Sequence, residues 1–127
     1  MMGWLVRTDA TTLLSLDIDG TLEVGDPPGP VTLDAVRHAI ALGFIVGSAS
    51  DRVVSFQTAL WAQHGITVDF VGHKHQLDAL VSRYPQVTRR LHVGDTDVDQ
   101  RFAHQHDFEF CWQYDWPPNW LRRQGFG

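Results

Sequence analysis

Short apolar runs alternate along the chain with segments whose apolar residues recur at helical spacing. The runs predict β-strands near residues 12–17, 44–47, 68–71, 91–93 and 108–112. The apolar positions predicted to face the core are Leu33, Val36 and Ile40 in a first helix, Val53, Phe56 and Leu60 in a second, and Leu77, Leu80, Val81 and Tyr84 in a third. Thr32 precedes the first helix as an expected N-cap. Strands that alternate with helices predict βαβ units, an α/β fold and a mostly parallel sheet of about five strands.

The pattern divides the chain into one domain and a tail. Residues 1–112 carry the alternation, while residues 113–127 are rich in Trp and Pro and match no regular element. A segment with so many aromatic residues is expected to be buried. We therefore expect the tail to pack on the domain, with a subunit interface in a homo-oligomer as the alternative.

Composition narrows the function classes. The formal net charge of −5 does not favour nucleic-acid binding driven by overall charge, although a local basic patch stays open. A single cysteine, Cys111, has no internal disulfide partner, which fits a reducing compartment. The first seven residues do not resemble a signal peptide, and no apolar run reaches membrane-spanning length. These features predict a soluble, cytoplasmic protein that does not bind membranes.

The first strand ends in a pair of carboxylates. An apolar run leads directly into Asp17-Ile18-Asp19-Gly20-Thr21. Ligands of open α/β sheets bind where strands end at their carboxyl side. Asp17 and Asp19 are therefore the leading candidates for chemistry.

Polar residues also follow the next three strands. Ser50, or alternatively Ser48, follows the second strand, Lys74 follows the third, and Gly94-Asp95-Thr96-Asp97-Val98-Asp99 follows the fourth. Asp95 and Asp99 are one helical turn apart and can share a face. Asp97 is expected only to complement the helix dipole.

These four motifs, in this order, resemble those of the haloacid dehalogenase superfamily of phosphatases and phosphotransferases. The resemblance covers residues 13–112 and implies a Rossmann-like three-layer sandwich with strand order 5-4-1-2-3. Members usually carry an inserted cap domain. Here residues 22–30 form only a short loop, and residues 50–74 hold one helix and one strand, so the chain resembles the capless class.

The residue types suit phosphoryl transfer, which needs a nucleophile, a proton shuttle and positive charge. Asp17 is the expected nucleophile, Asp19 the general acid and base, and Lys74 the fixed cation. Oxygen ligands of this kind suit Mg²⁺. The resemblance implies metal binding by Asp17, the Asp19 main-chain carbonyl, Asp95 and Asp99, and phosphate binding by Ser50, Thr21 and Lys74. Asp99 is expected to hold either a metal-bound water or Lys74.

The sequence therefore predicts a Mg²⁺-dependent phosphomonoesterase that forms an aspartyl-phosphate. An open site suits a phosphorylated macromolecule, including nucleic-acid ends, or a small metabolite covered by an oligomer partner. A non-catalytic binding or regulatory module of the same fold is the alternative. A receiver domain is disfavoured because Lys74 precedes Asp95, and a nuclease-type pair of Asp95 and Asp97 would leave the first motif unexplained.

Overall fold

A five-stranded, all-parallel sheet forms the centre of the protein. The computed structural model describes residues 11–127. Its elements are β1 (Thr12–Leu16), α1 (Leu33–Ala41), β2 (Ile45–Ser50), α2 (Val54–Gln63), β3 (Phe70–His73), α3 (Leu77–Arg83), β4 (Arg89–Gly94), α4 (Asp97–Gln105), β5 (Glu109–Trp112) and α5 (Asn119–Arg122). The strand order β3-β2-β1-β4-β5 is the predicted order counted from the opposite edge, so the predicted α/β architecture is confirmed.

β1 is the central strand. Leu16 pairs with Ser48 of β2 on one side and with Val93 of β4 on the other. The chain leaves β1 between the ends of two parallel neighbours, where the strand order reverses direction. This is the position at which open α/β sheets bind ligands.

Helices cover both faces of the sheet. On one face α1, Trp61 of α2 and the tail pack on side chains such as Leu14 and Val93. On the other face α3 and α4 pack on Leu13 and Ile45. The result is the predicted three-layer sandwich.

Some predicted boundaries were wrong. β2 extends to Ser50 rather than ending at Gly47, because its small and polar residues are buried between β1 and β3. β3 spans Phe70–His73 instead of residues 68–71, since its pairing with β2 begins at Phe70. The first helix begins as predicted, with the Thr32 hydroxyl accepting a hydrogen bond from the Ala35 amide at 3.0 Å.

The predicted core face of α2 was wrong for two of its three residues, while the third, Leu60, packs against the core as predicted. Val53 and Phe56 are exposed, and the buried residues of this helix are Gln57 and Trp61. Gln57 Nε2 donates to the carbonyl oxygens of Arg52 and Gly72, each at 2.8 Å. Because these bonds satisfy a buried amide, the helix turns a polar residue inward and leaves two apolar ones in solvent.

The tail contains short helices that the sequence did not predict. A single 3₁₀ turn spans Gln113–Asp115, and α5 follows. Leu121 and Phe126 are buried in the same core cluster as α1, and Trp116 and Trp120 pack against it. The tail thus covers its own domain; its use as a subunit interface stays a prediction.

Within residues 11–127, no helix is both long and apolar enough to cross a membrane.

Candidate active site

Asp17 begins the site at the carboxyl end of β1. Its amide donates a hydrogen bond to the Val93 carbonyl at 2.9 Å, which continues the β1–β4 ladder by one residue. The side chain is 5% exposed. The carboxylate is therefore held by rigid backbone at the centre of the sheet.

Lys74 brings a buried positive charge to this carboxylate. Its ammonium group lies 3.4 Å from Asp17 Oδ2, 3.0 Å from Asp99 Oδ1 and 3.7 Å from Asp51 Oδ2. Burial alone lowers the pKa of Lys74, but Asp17 and Asp99 together raise it above its usual value. The lysine is consequently held in its charged form beside Asp17, and its role in offsetting charge on a substrate stays a prediction.

Asp99 is held by four hydrogen bonds. Thr96 donates to Asp99 Oδ2 from its hydroxyl at 2.8 Å and from its amide at 3.3 Å, which completes a capping box at the start of α4. His92 Nε2 and Lys74 Nζ reach Asp99 Oδ1 at 2.8 and 3.0 Å. Burial raises the pKa of Asp99, but the hydrogen bond from His92 and the charges around it lower the pKa to about 2. Asp99 is therefore a carboxylate that fixes the position of Lys74.

Ser15 and His92 extend this network into the core, and sequence reasoning missed both. The Ser15 hydroxyl is 2.9 Å from His92 Nδ1, and neither residue is exposed. The Ser–His–Asp series resembles a hydrolase triad, but a substrate cannot reach it. The polar His92 inside the apolar run Leu91-His92-Val93 was the available signal.

Asp17, Asp95 and Asp99 form a candidate metal centre. Carboxylate oxygens of the three residues lie within 4.8 Å of one another. Gly20, at φ +75°, makes this possible, since a Cβ there would lie 2.0 Å from Asp95 Oδ2. Burial and the neighbouring charge of Asp99 raise the pKa of Asp17 to about 8, outweighing the opposite effect of Lys74. Three clustered carboxylates facing one lysine fit a hard divalent cation.

The three carboxylates are not equivalent as ligands. Both oxygens of Asp99 already accept hydrogen bonds. Among residues 11–127, no lysine or arginine pairs with Asp95, which is half-buried. Asp17 and Asp95 are therefore the better candidates for direct metal ligands, while Asp99 holds Lys74 beside them.

The Asp19 side chain points away from this cluster. Its Oδ2 accepts from Arg52 Nε at 2.7 Å and its Oδ1 from the Asp26 amide at 2.9 Å. Burial acts to raise the pKa of Asp19, but the hydrogen bonds from Arg52 and Asp26 lower it below its usual value. The Asp-x-Asp motif indicates Asp19 but not its pairing with Arg52. Metal binding by the Asp19 carbonyl stays a prediction.

The two candidate serines have different surroundings. The Ser48 hydroxyl donates to Gln57 Oε1 at 2.6 Å and accepts from Trp61 Nε1 at 3.0 Å, so it is committed to the core. The Ser50 hydroxyl accepts from the Arg52 amide at 3.0 Å at the end of β2. Ser50 is consequently the better candidate for phosphate contact.

Four further residues in or near the predicted motifs lie at different depths. The Thr21 hydroxyl is fully buried and has no hydrogen-bond partner within residues 11–127, which argues against direct contact with phosphate. Asp97 is exposed in the first turn of α4, as expected for dipole complementation, while Thr96 is the cap. His73 and His75 stack at 5.3 Å beside Lys74 and stay outside the carboxylate cluster.

Comparisons with known proteins assign no family: no family model matches the chain, and no curated protein or solved structure matches it either.

Proposed function

We propose that the protein is a Mg²⁺-dependent phosphomonoester hydrolase of the haloacid dehalogenase type, acting through an aspartyl-phosphate on Asp17. The observation that carries the proposal is the placement of Asp17 between the buried Lys74 and the carboxylate of Asp95 at the end of the central strand. The motif resemblance and this geometry support the same role for Asp17.

The reaction has two steps on this scheme. An oxygen of Asp17 attacks phosphorus, the bond from phosphorus to the ester oxygen breaks, and Asp19 gives its proton to the leaving alcohol. Water then attacks the phosphorus of the aspartyl-phosphate, Asp19 takes the proton, and inorganic phosphate leaves. Lys74 offsets charge on the phosphoryl oxygens throughout.

Asp17 and Asp95 would hold the Mg²⁺ ion. When bound, the ion supplies positive charge that offsets the clustered carboxylates and the phosphoryl oxygens. The raised pKa of Asp17 supports this assignment, because a cation in the cluster would favour the ionised nucleophile.

Arg52 sets the resting state of Asp19. The ion pair favours the carboxylate, which is the form needed to activate water in the second step. Proton donation in the first step needs Arg52 to release Asp19, which then takes up a proton from solvent or keeps the proton that it gained from water in the preceding turnover. Ser50, beside the Arg52 amide, supplies a further hydroxyl for the phosphoryl group.

The substrate approaches a site without a cap. The loop from Leu22 to Pro30 and the segment from Ser50 to Lys74 contain no inserted domain. We propose a phosphorylated macromolecule, with nucleic-acid ends as one subclass, or a small metabolite covered by a second copy of the chain through the tail. The unpaired Cys111 supports a reducing, cytoplasmic setting.

Phosphate release from an aryl phosphate tests the proposal. Release should need Mg²⁺, stop with a chelator and be lost in Asp17→Asn. Asp34→Asn is the matched control, because Asp34 is an exposed carboxylate on α1 that pairs with Arg37 rather than with a residue of the site. Release that persists in Asp17→Asn would contradict the proposal. No release by the wild type from aryl, sugar or nucleic-acid-end phosphates would favour the non-catalytic binding module.

A further inference from the structure

An apolar surface adjoins the site at the start of α2. Val53 is 63% exposed, Val54 43% and Phe56 39%, and we call these three residues the α2 patch. The patch exists because Gln57 and Trp61, not these residues, face the core. Exposed apolar side chains contribute little to the stability of the fold, and beside a reactive centre they are typical of a surface that contacts a ligand.

Arg52 connects the patch to the reactive centre. Its Nε donates to Asp19 at 2.7 Å, and its guanidinium lies 4.6 Å from the centroid of the Phe56 ring. One side chain therefore spans from the proposed proton donor to the aromatic member of the patch. A guanidinium presents a flat surface on which a second aromatic ring can stack.

The position of the proton donor fixes the direction of the leaving group. Asp19 must reach the ester oxygen, so the carbon skeleton attached to that oxygen extends past Asp19 rather than toward Asp17. Arg52 contacts Asp19 and also lies over the Phe56 ring, so the patch joins that path through Arg52. This step rests on the proposed hydrolysis.

We infer that the α2 patch and Arg52 form a leaving-group subsite for phosphomonoesters that carry an aromatic ring close to the ester oxygen. Phe56 and Arg52 supply ring and cation contacts, and Val53, three residues before Phe56, supplies apolar contact. Small aliphatic or sugar-like leaving groups would lack these contacts. The inference narrows the substrates of this open site to those with a flat, apolar group next to the phosphate, and it disfavours nucleic-acid ends, whose ester oxygen is attached to a sugar.

Paired ligands test the subsite without relying on turnover. Benzylphosphonate and butylphosphonate carry the same charged group and differ in the ring, and calorimetry with Mg²⁺ measures their binding. The wild type should bind the benzyl compound about tenfold more tightly, the value of one good aromatic contact. Phe56→Ala should reduce this preference to below about threefold. Phe56→Tyr, which keeps the ring, and Tyr114→Ala, which removes an exposed ring on the tail, should retain it.

Equal binding of the two phosphonates by the wild type would overturn the subsite, as would an undiminished preference in Phe56→Ala. Hydrolysis of benzyl phosphate and butyl phosphate, measured in parallel, separates this inference from the proposed function. Both esters release a primary alcohol, so leaving-group acidity does not dominate the comparison. A binding preference without phosphate release would retain the subsite and overturn hydrolysis. Phosphate release without any preference in binding would retain hydrolysis and overturn the subsite.

Discussion

The Lys74 ammonium lies 3.0 Å from Asp99 Oδ1, and neither side chain is more than 4% exposed. Each group would be a costly isolated charge at this depth, so each depends on the other. Asp99 is fixed in turn by Thr96 and His92. The position of the only lysine beside Asp17 is thus set by the start of α4 and the interior of β4.

Replacing Asp99 by Asn should destabilise the protein by about 3 kcal/mol, because it leaves Lys74 without its closest counter-charge. Urea denaturation measures the free energy of unfolding. Asp34→Asn is the control, since the ion pair of Asp34 with Arg37 is exposed and should contribute less than about 1 kcal/mol. A similar small loss in both variants would show that the buried pair contributes little.

Replacing Asp17 by Asn should raise the thermal stability of the metal-free protein at pH 7. Burial and the charge of Asp99 raise the pKa of Asp17 to about 8 from 3.8, so ionisation opposes folding. The stabilisation that the protonated Asp17 carboxyl gives to the folded state is complete below pH 3.8 and is lost as the pH rises toward 8. Melting curves from pH 4 to 8 with a chelator should therefore fall more steeply for the wild type.

Added Mg²⁺ should make the wild type more stable than Asp17→Asn. The ion binds the pair of carboxylates in the wild type and stabilises the folded state by mass action. Asp17→Asn should show a smaller rise in melting temperature with Mg²⁺. Equal rises in the two proteins would exclude Asp17 as a metal ligand.

Replacing Gly20 by Ala should weaken Mg²⁺ binding as well as stability, since the new Cβ would lie 2.0 Å from Asp95 Oδ2. Gly65→Ala is a matched control. The φ of Gly65 is +67°, close to the +75° of Gly20, and the Cβ that alanine adds there would meet no atom within 4 Å. Gly65→Ala should lower the free energy of unfolding by only about 1–2 kcal/mol, which is the cost of a left-handed backbone conformation at a residue other than glycine. Unfolding and Mg²⁺ titration of both variants check this, and identical Mg²⁺ affinities would contradict it.

Replacing Leu121 by Ala should lower the free energy of unfolding, measured by urea denaturation, by about 2–5 kcal/mol. The reason is that this tail residue is fully buried against the domain. Tyr114→Ala, in the same tail but 69% exposed, should cost less than about 0.5 kcal/mol. A small loss for both would mean that the tail is not part of the core, and sedimentation at several concentrations would then show whether it joins subunits.

The sequence predicted the sheet and the strand ends because both depend on local patterns. An apolar run followed by Asp17 signals a strand that ends in a carboxylate, and the alternation with helices makes the sheet parallel. The face of α2 could not be predicted this way. Gln57 is buried only because carbonyls of Arg52 and Gly72, from other segments, accept its hydrogen bonds.

In the predicted site, too, the sequence pattern predicts which residues come together but not how their side chains pair. Asp17, Lys74, Asp95 and Asp99 come together because each follows a strand of one parallel sheet. The pairing of Arg52 with Asp19 depends on side-chain conformations, which residue spacing does not specify. His92 looked like part of an apolar strand, and only its bond to Asp99 shows its role.

The most direct test of the central claim is to trap the phosphorylated protein. Wild type and Asp17→Asn would be mixed with an aryl phosphate and Mg²⁺, quenched rapidly in acid and digested for mass spectrometry. The mass of one phosphoryl group should appear on the wild-type peptide that carries Asp17, be sensitive to hydroxylamine, and be absent from Asp17→Asn. Phosphate release with no phosphoryl group on that peptide, or with one on another residue, would contradict Asp17 as the nucleophile.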